Sequence, residues 1–166
     1  MTWADTSVSP IPPRRFPMIR SIVFVALVLA FYWFVTRPAE SNLLWLRDFD
    51  TAAAEARDRN TPILIDFWAS WCGPCRAFDA AVLSAGSVEE VAARAYTLLR
   101  VDLSKQPPKS PDAKIAERYG VIELPTLLVV EPADLTVTAR ASDADRASPA
   151  AFVAFLRRHS TQVGSP

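Results

Sequence analysis

Two cysteines and one histidine are all the soft metal ligands that the 166 residues offer. A structural zinc site takes four ligands, so this chain cannot build one from soft donors. A c-type haem site needs histidine directly after the second cysteine of its pair, and Arg76 stands there. No metal and no other cofactor is expected. Two cysteines are also too few for a disulfide-stapled scaffold, so the core must stand on packing. Neither charge is in excess: Lys plus Arg is 18, Asp plus Glu is 18, and the formal net charge is zero. A nucleic-acid partner normally demands a basic surplus on one face, and none is expected here. Internal repeats and low-complexity tracts are absent.

What is present begins with hydrophobicity, at 51% of the chain. Part of it sits in the run Ile22 to Val35, IVFVALVLAFYWFV, which holds no charge, glycine or proline. At 1.5 Å per residue that run spans only about 21 Å, against a hydrocarbon core of about 30 Å. Adding Met18, Ile19, Ser21 and Thr36 brings residues 18–36 near the needed length, with Arg20 snorkelling to the headgroups. Tyr32 and Trp33 stand toward one end, where interfacial aromatics belong. Three readings compete: a single membrane anchor, a cleaved signal peptide, and a buried soluble helix. The signal peptide lacks a small-x-small cleavage site in Thr36-Arg37-Pro38-Ala39. The buried helix is at odds with a run that is apolar on all sides. Arg14, Arg15 and Arg20 precede the run, and Arg37 and Arg47 follow it. The positive-inside rule then puts the N-terminus inside and the rest outside, which in a bacterium is the periplasm. Residues 1–17, with four prolines after Ser9, read as a tail, as do residues 161–166.

Residues 43–160 alternate strand and helix patterns. Leu43–Leu46 reads as a short strand, and Phe49–Arg59 as a helix capped by Asp48. Ile63–Trp68 reads as a buried strand and Gly73–Leu83 as a helix. Ser87-Val88-Glu89-Glu90 reads as a capping box opening another helix. Thr97–Leu103 is a strand, and Gln106–Pro111 a proline-rich loop. A helix starts at Ser110-Pro111, with Gly120 past its end. Thr126–Val130 and Leu135–Arg140 read as a hairpin. Ser148-Pro149 opens a last helix with the stripe Phe152, Phe155 and Leu156. His159 reads as a solvated helix-end residue. The alternation argues for an α/β fold, one mixed sheet flanked by helices.

The chemistry concentrates in Trp71-Cys72-Gly73-Pro74-Cys75. It follows a buried strand and opens a helix, so Cys72 falls where free N–H groups favour an anion. That placement lowers a thiol pKa and makes the thiolate a nucleophile. Two intervening residues bring the second sulfur within bonding reach. Cys72 can attack a partner disulfide, and Cys75 can then release the partner by attacking Cys72.

Ile63 to Arg76 resembles the active-site strand and motif of thioredoxin, and Ile122-Glu123-Leu124-Pro125-Thr126-Leu127-Leu128 resembles the segment with that family's cis-proline. The resemblance covers roughly Leu43 to His159. It implies that Cys72 attacks, Cys75 resolves, and Asp66 is the buried acid that assists proton transfer at the resolving cysteine. It implies that Pro125 is cis, and that Trp71, Gly73, Pro74, Leu124 and Pro125 meet the substrate. Trp68 falls beside the site, with plain packing an equal alternative. Arg100 falls where thioredoxin has a lysine near the buried acid. Thioredoxin carries glycines in its late hairpin and in the loop facing the substrate. Glu131 to Arg146 has none, and Asp134 and Ser142 sit near those positions.

Leu44-Trp45-Leu46, the Ala-rich helix and Asn60-Thr61-Pro62 resemble the C-terminal periplasmic domain of the transmembrane thiol:disulfide interchange reductases. Membrane-tethered proteins of cytochrome c maturation usually have Asn where Asp66 stands and Glu-x-Pro after the motif, which Arg76-Ala77-Phe78-Asp79 lacks. The resemblance therefore implies a membrane-anchored reductase. It would take electrons from a membrane thiol carrier and pass them to disulfides of exported proteins. Reduction of apocytochrome c and a non-catalytic tethered assembly module stand as alternatives.

Overall fold

The computed structural model describes residues 18–35, 41–105 and 110–160. The two expected tails and most of the Gln106–Pro111 loop lie outside the described residues. The chain divides into two units, Met1–Arg37 and Pro38–Pro166.

In the first unit, Met18–Val35 forms one helix, α1. Its side chains from Ile22 to Leu29 and from Phe31 to Trp33 are exposed, and the uninterrupted apolar run leaves the helix no polar face. Among the described residues, no helix is long and apolar enough to cross a membrane. The expected snorkelling of Arg20 lies outside the described side chains.

The second unit is a four-stranded mixed sheet in the order β2-β1-β3-β4. Strands β1 (Ile63–Trp68) and β2 (Thr97–Asp102) run parallel. Strands β3 (Thr126–Val130) and β4 (Val137–Arg140) are antiparallel to their neighbours. Successive side chains of a strand point to opposite faces. Ile63, Ile65, Phe67, Leu99, Val101, Leu128 and Val130 therefore meet one layer of helices, α2 (Phe49–Arg59) and α5 (Pro111–Arg118). Leu64, Leu98, Leu127 and Val129 meet the other layer. That layer holds α3 (Gly73–Phe78), α4 (Gly86–Ala95) and α7 (Pro149–His159), with Phe152, Phe155 and Leu156 buried as the stripe requires. Asp48, Ser110 and Ser148 cap their helices through side-chain oxygens, and Pro111 and Pro149 take first-turn positions where no N–H is needed.

Several expectations are corrected. Leu43–Leu46 is not a strand. Only Leu46 bridges to Leu99, because its N–H and C=O alone reach β2. The helix expected over Gly73–Leu83 is α-helical to Phe78 and then widens into a π turn, Asp79–Leu83. No capping box forms at Ser87. The helix begins one residue earlier, at Gly86, without a side-chain cap, so Ser87 lies inside it, and Glu90, the acid three residues on, pairs with Arg94. Strand β4 starts only at Val137. Leu135 has φ 61, and the Asp134 carboxylate accepts from the Thr136 N–H and hydroxyl, making a turn without glycine before β4. His159 is half-buried, with its ring 4.9 Å from Phe155 and its Nδ1 buried. An unforeseen helix, α6 (Asp143–Arg146), occupies the other glycine-poor stretch. Ser142 and Asp145 cap it reciprocally.

Candidate active site

Strand β1 ends at Trp68, a short turn follows, and α3 opens at Gly73. Cys72 is the N-cap residue of α3, in extended backbone, and Pro74 lies in the first turn. Cys72 and Cys75 are joined as a disulfide with their Cα atoms 5.3 Å apart. The Cys75 N–H donates to Cys72 Sγ at 3.1 Å. That sulfur thus occupies the position of a capping oxygen, where helix-end donors stabilise negative charge. Both cysteines are nearly buried, at 4% and 1% exposure. Ala69, Trp68, Leu103 and Leu124 pack around them.

The Leu124–Pro125 peptide bond is cis. Pro125 is buried and Leu124 half-buried against the cysteine pair, while Trp71, Gly73 and Pro74 are exposed beside it. Trp71 and Ile122 stand open to solvent, at 65% and 95% exposure. With Leu103, Val121 and Leu124 they make an apolar groove along Cys72. Among the described residues, the Leu124 backbone N–H and C=O have no intramolecular partner.

Asp66 lies on the α3 side of β1, 1% exposed, directly opposite Arg100 in the parallel register. Arg100 Nε donates to Asp66 Oδ2 at 2.8 Å, and Nη2 lies 2.6 Å from the same oxygen. The far side of the guanidinium grips Asp79, with Nη2 to Oδ1 at 2.7 Å and Nη1 to Oδ2 at 3.1 Å. Its Cζ lies 4.8 Å from the centroid of the Trp45 ring and 5.5 Å from that of the Trp68 ring. Burial pushes the Asp66 carboxyl up to about 6; Arg100 opposes the rise and the Asp79 carboxylate adds to it. In this oxidised state Asp66 bonds to Arg100 and to neither sulfur.

Cys72, Cys75, Trp71, Gly73, Pro74, Leu124 and Pro125 therefore converge on one surface. Asp66 is set behind them and tied to Arg100. Two participants carried no clear signal in the sequence. Asp79 stands one helical turn beyond Cys75 in the chain. Arg146 of α6 donates to the Pro125 carbonyl, beside the cis bond.

A mixed sheet between helices, a Cys-x-x-Cys disulfide opening a helix and a cis-proline loop packed beside it define the class of thioredoxin-fold redox proteins. Residues 44–132 match the family described as thioredoxin-like, and the chain belongs to that family. It is 30% identical over 93 residues to thioredoxin of Streptomyces clavuligerus, covering 54% of this chain and 74% of that protein. It is 33% identical over 82 residues to thioredoxin 1 of Nostoc, covering 48% of this chain and 65% of that protein. A third match is thiol:disulfide interchange protein DsbD 1 of Pseudomonas aeruginosa. It is 33% identical over 91 residues, covering 55% of this chain and 15% of the relative. Among solved structures, DsbH oxidoreductase superposes with TM-score 0.62 at 20% identity, over 76% of this chain and 91% of that one. The oxidised C-terminal domain of Neisseria meningitidis DsbD superposes with TM-score 0.54 at 18% identity, over 70% of this chain and 99% of that one.

Proposed function

We propose that this chain is a thiol–disulfide oxidoreductase acting as a protein-disulfide reductase. The observation that carries this reading is the Cys72–Cys75 disulfide at the start of α3, with a backbone N–H on Cys72 Sγ. In the reduced protein the same N–H stabilises a Cys72 thiolate. That thiolate attacks one sulfur of a partner disulfide. The partner's S–S bond breaks, its other sulfur leaves as thiolate and takes a proton from solvent, and a mixed disulfide remains. The Asp66 carboxylate then takes the proton of the Cys75 thiol. Cys75 attacks Cys72 Sγ, and the partner's second sulfur departs and is protonated. Two electrons have passed to the partner, and the Cys72–Cys75 disulfide is the product. An extended substrate strand pairs with the free Leu124 backbone groups and rests on the apolar groove beside Trp71.

The function extends to α1, which we read as a membrane tether. Its support is the apolar run Ile22 to Val35, with Arg14 and Arg15 before α1 and Arg20 in its first turn. The redox unit then faces the periplasm and works on exported proteins. A membrane thiol carrier returns it to the dithiol, a reading supported by the likeness to thiol:disulfide interchange protein DsbD 1.

Insulin reduction by the full chain in detergent tests the chemistry. The Cys72→Ser, Cys75→Ser double variant must lose it entirely, and retained activity ends the assignment. Equilibration against dithiothreitol buffers should give a midpoint near about −270 mV, where reductases lie, and not about −120 mV, where strong oxidants lie. Recovery of the chain in the membrane pellet after alkaline carbonate washing tests the tether, and release into the supernatant removes it.

A further inference from the structure

A second groove, of about 470 Å³, runs past the cis-proline on the side away from Trp71. One wall is α3 and the π turn, where Ala77 and Ala81 leave room. The other wall is α6 with Ala147 after it. The first groove, along Cys72, holds one charged side chain, Glu123. Glu123 also lines the second groove, and it is exposed with no side-chain partner among the described residues. The second groove adds only Asp143 and Arg146 as charges. Arg146 is turned inward, with its side chain 15% exposed. It donates to the Pro125 carbonyl, to Asp143 Oδ1 and to the Ser142 carbonyl. Its cation is therefore spent on the protein's own acceptors, while the Asp143 side chain is 98% exposed. The charge offered to a bound chain is negative, and it is centred on the lip between the two grooves.

We propose that Glu123, on the lip shared by the two grooves, is a specificity-determining residue that selects a Lys or Arg next to the attacked cysteine of the substrate. This rests on the oxidoreductase reading above. A substrate strand attached at Cys72 and paired to Leu124 must pass its neighbour Glu123 in leaving toward either groove. The small walls accept an extended backbone, and a basic side chain next to the cysteine meets a carboxylate that no residue of the protein neutralises. Asp143, already shared with Arg146, contributes less.

Three peptide disulfides of one sequence, with Lys, Gln or Glu beside the cysteine, test this against the reduced full chain in detergent. The expected order of kcat/KM is Lys above Gln above Glu. One exposed ion pair sets a Lys-to-Gln ratio of about five at low salt, shrinking at 0.5 M salt. Glu123→Gln brings the three values together, and Glu123→Lys inverts the order. Equal rates on all three peptides with the unaltered chain, or an order that survives Glu123→Gln, overturns selection by Glu123. Failure to reduce any of the three removes the oxidoreductase reading as well.

Discussion

The two faces of the central sheet are built from the same strands and differ in kind. Toward α2 and α5, β1 presents Ile63, Ile65 and Phe67, which meet alanines, aliphatic residues and the ring of Tyr119, with no charged side chain in the cluster. Toward α3, the same strand presents Leu64, then Asp66, then Trp68, and β2 sets Arg100 opposite Asp66. The first face holds the fold by apolar burial. The second gives up part of that stabilisation to keep a carboxylate behind the redox pair. Burying ions costs several kcal/mol each unless their partners are well placed. Here one guanidinium, gripping Asp66 and Asp79 between two indoles, offsets that cost.

The sharpest way to break this contrast is to cut each face at its centre. Arg100→Met strands two carboxylates and should cost about 3–5 kcal/mol at pH 7. Phe67→Ala on the other face should cost a similar amount, about 3–5 kcal/mol, as a cavity. The two differ in pH response: acidification to pH 4 should return part of the Arg100→Met loss and none of the Phe67→Ala loss. Urea unfolding at both pH values checks this, and equal responses would mean that the charged network is not what Arg100 supports.

The next effect follows from Asp66 alone. Its folded-state pKa of about 6 lies above the ordinary aspartate value, so the native state holds this proton more tightly than the unfolded chain does. Its contribution is therefore most favourable at low pH and is lost as pH rises from about 4 to about 6. The loss is roughly 2–3 kcal/mol by linkage. Asp66→Asn should remove that slope. The same substitution bears on rate. A base acts deprotonated, so disulfide reduction should fall as pH drops through about 6 in the unaltered chain. In Asp66→Asn, reduction should be slower at pH 7, by about 100-fold or more, with that acid limb gone. A limb that persists would move the base elsewhere. Smallest of all, Ile65→Val should cost about 1 kcal/mol and leave both pH profiles alone.

Much of this was legible because local chemistry and global fold agreed. The strand at Ile63–Trp68 announces itself by an apolar run bounded by proline and the turn. The helices at Ser110-Pro111 and Ser148-Pro149 announce themselves by cap and proline together. Asp66 was legible through the resemblance to thioredoxin, which implies a buried acid at that position of the strand. The same resemblance put Arg100 near it, but the ion pair itself needs the structure, because the two residues are 34 apart and meet only when β1 and β2 pair in parallel register. Asp79 carried no signal of its own in the sequence. Only the packing of α3 on the sheet turns it toward Arg100. Helix α6 escaped because four residues are too few to show a period, although its Ser142-x-x-Asp145 cap was in plain sight. The capping box read at Ser87 failed because the helix starts one residue earlier, at Gly86, which puts Ser87 inside it, and Glu90, the acid three residues on, pairs with Arg94.

The π turn at Asp79–Leu83 also has a meaning in chain length. Such a turn is an α-helix with one residue more than its hydrogen-bond ladder needs. Before it, Cys75 and Phe78 follow one helical frame, set by the redox pair and the β1 end. After it, Val82 and Leu83 follow a second frame, offset by that residue, and pack into the cluster beneath α7. A chain one residue shorter here would keep either frame but not both. The extra residue lets a single helix serve the chemistry at its start and the core at its end.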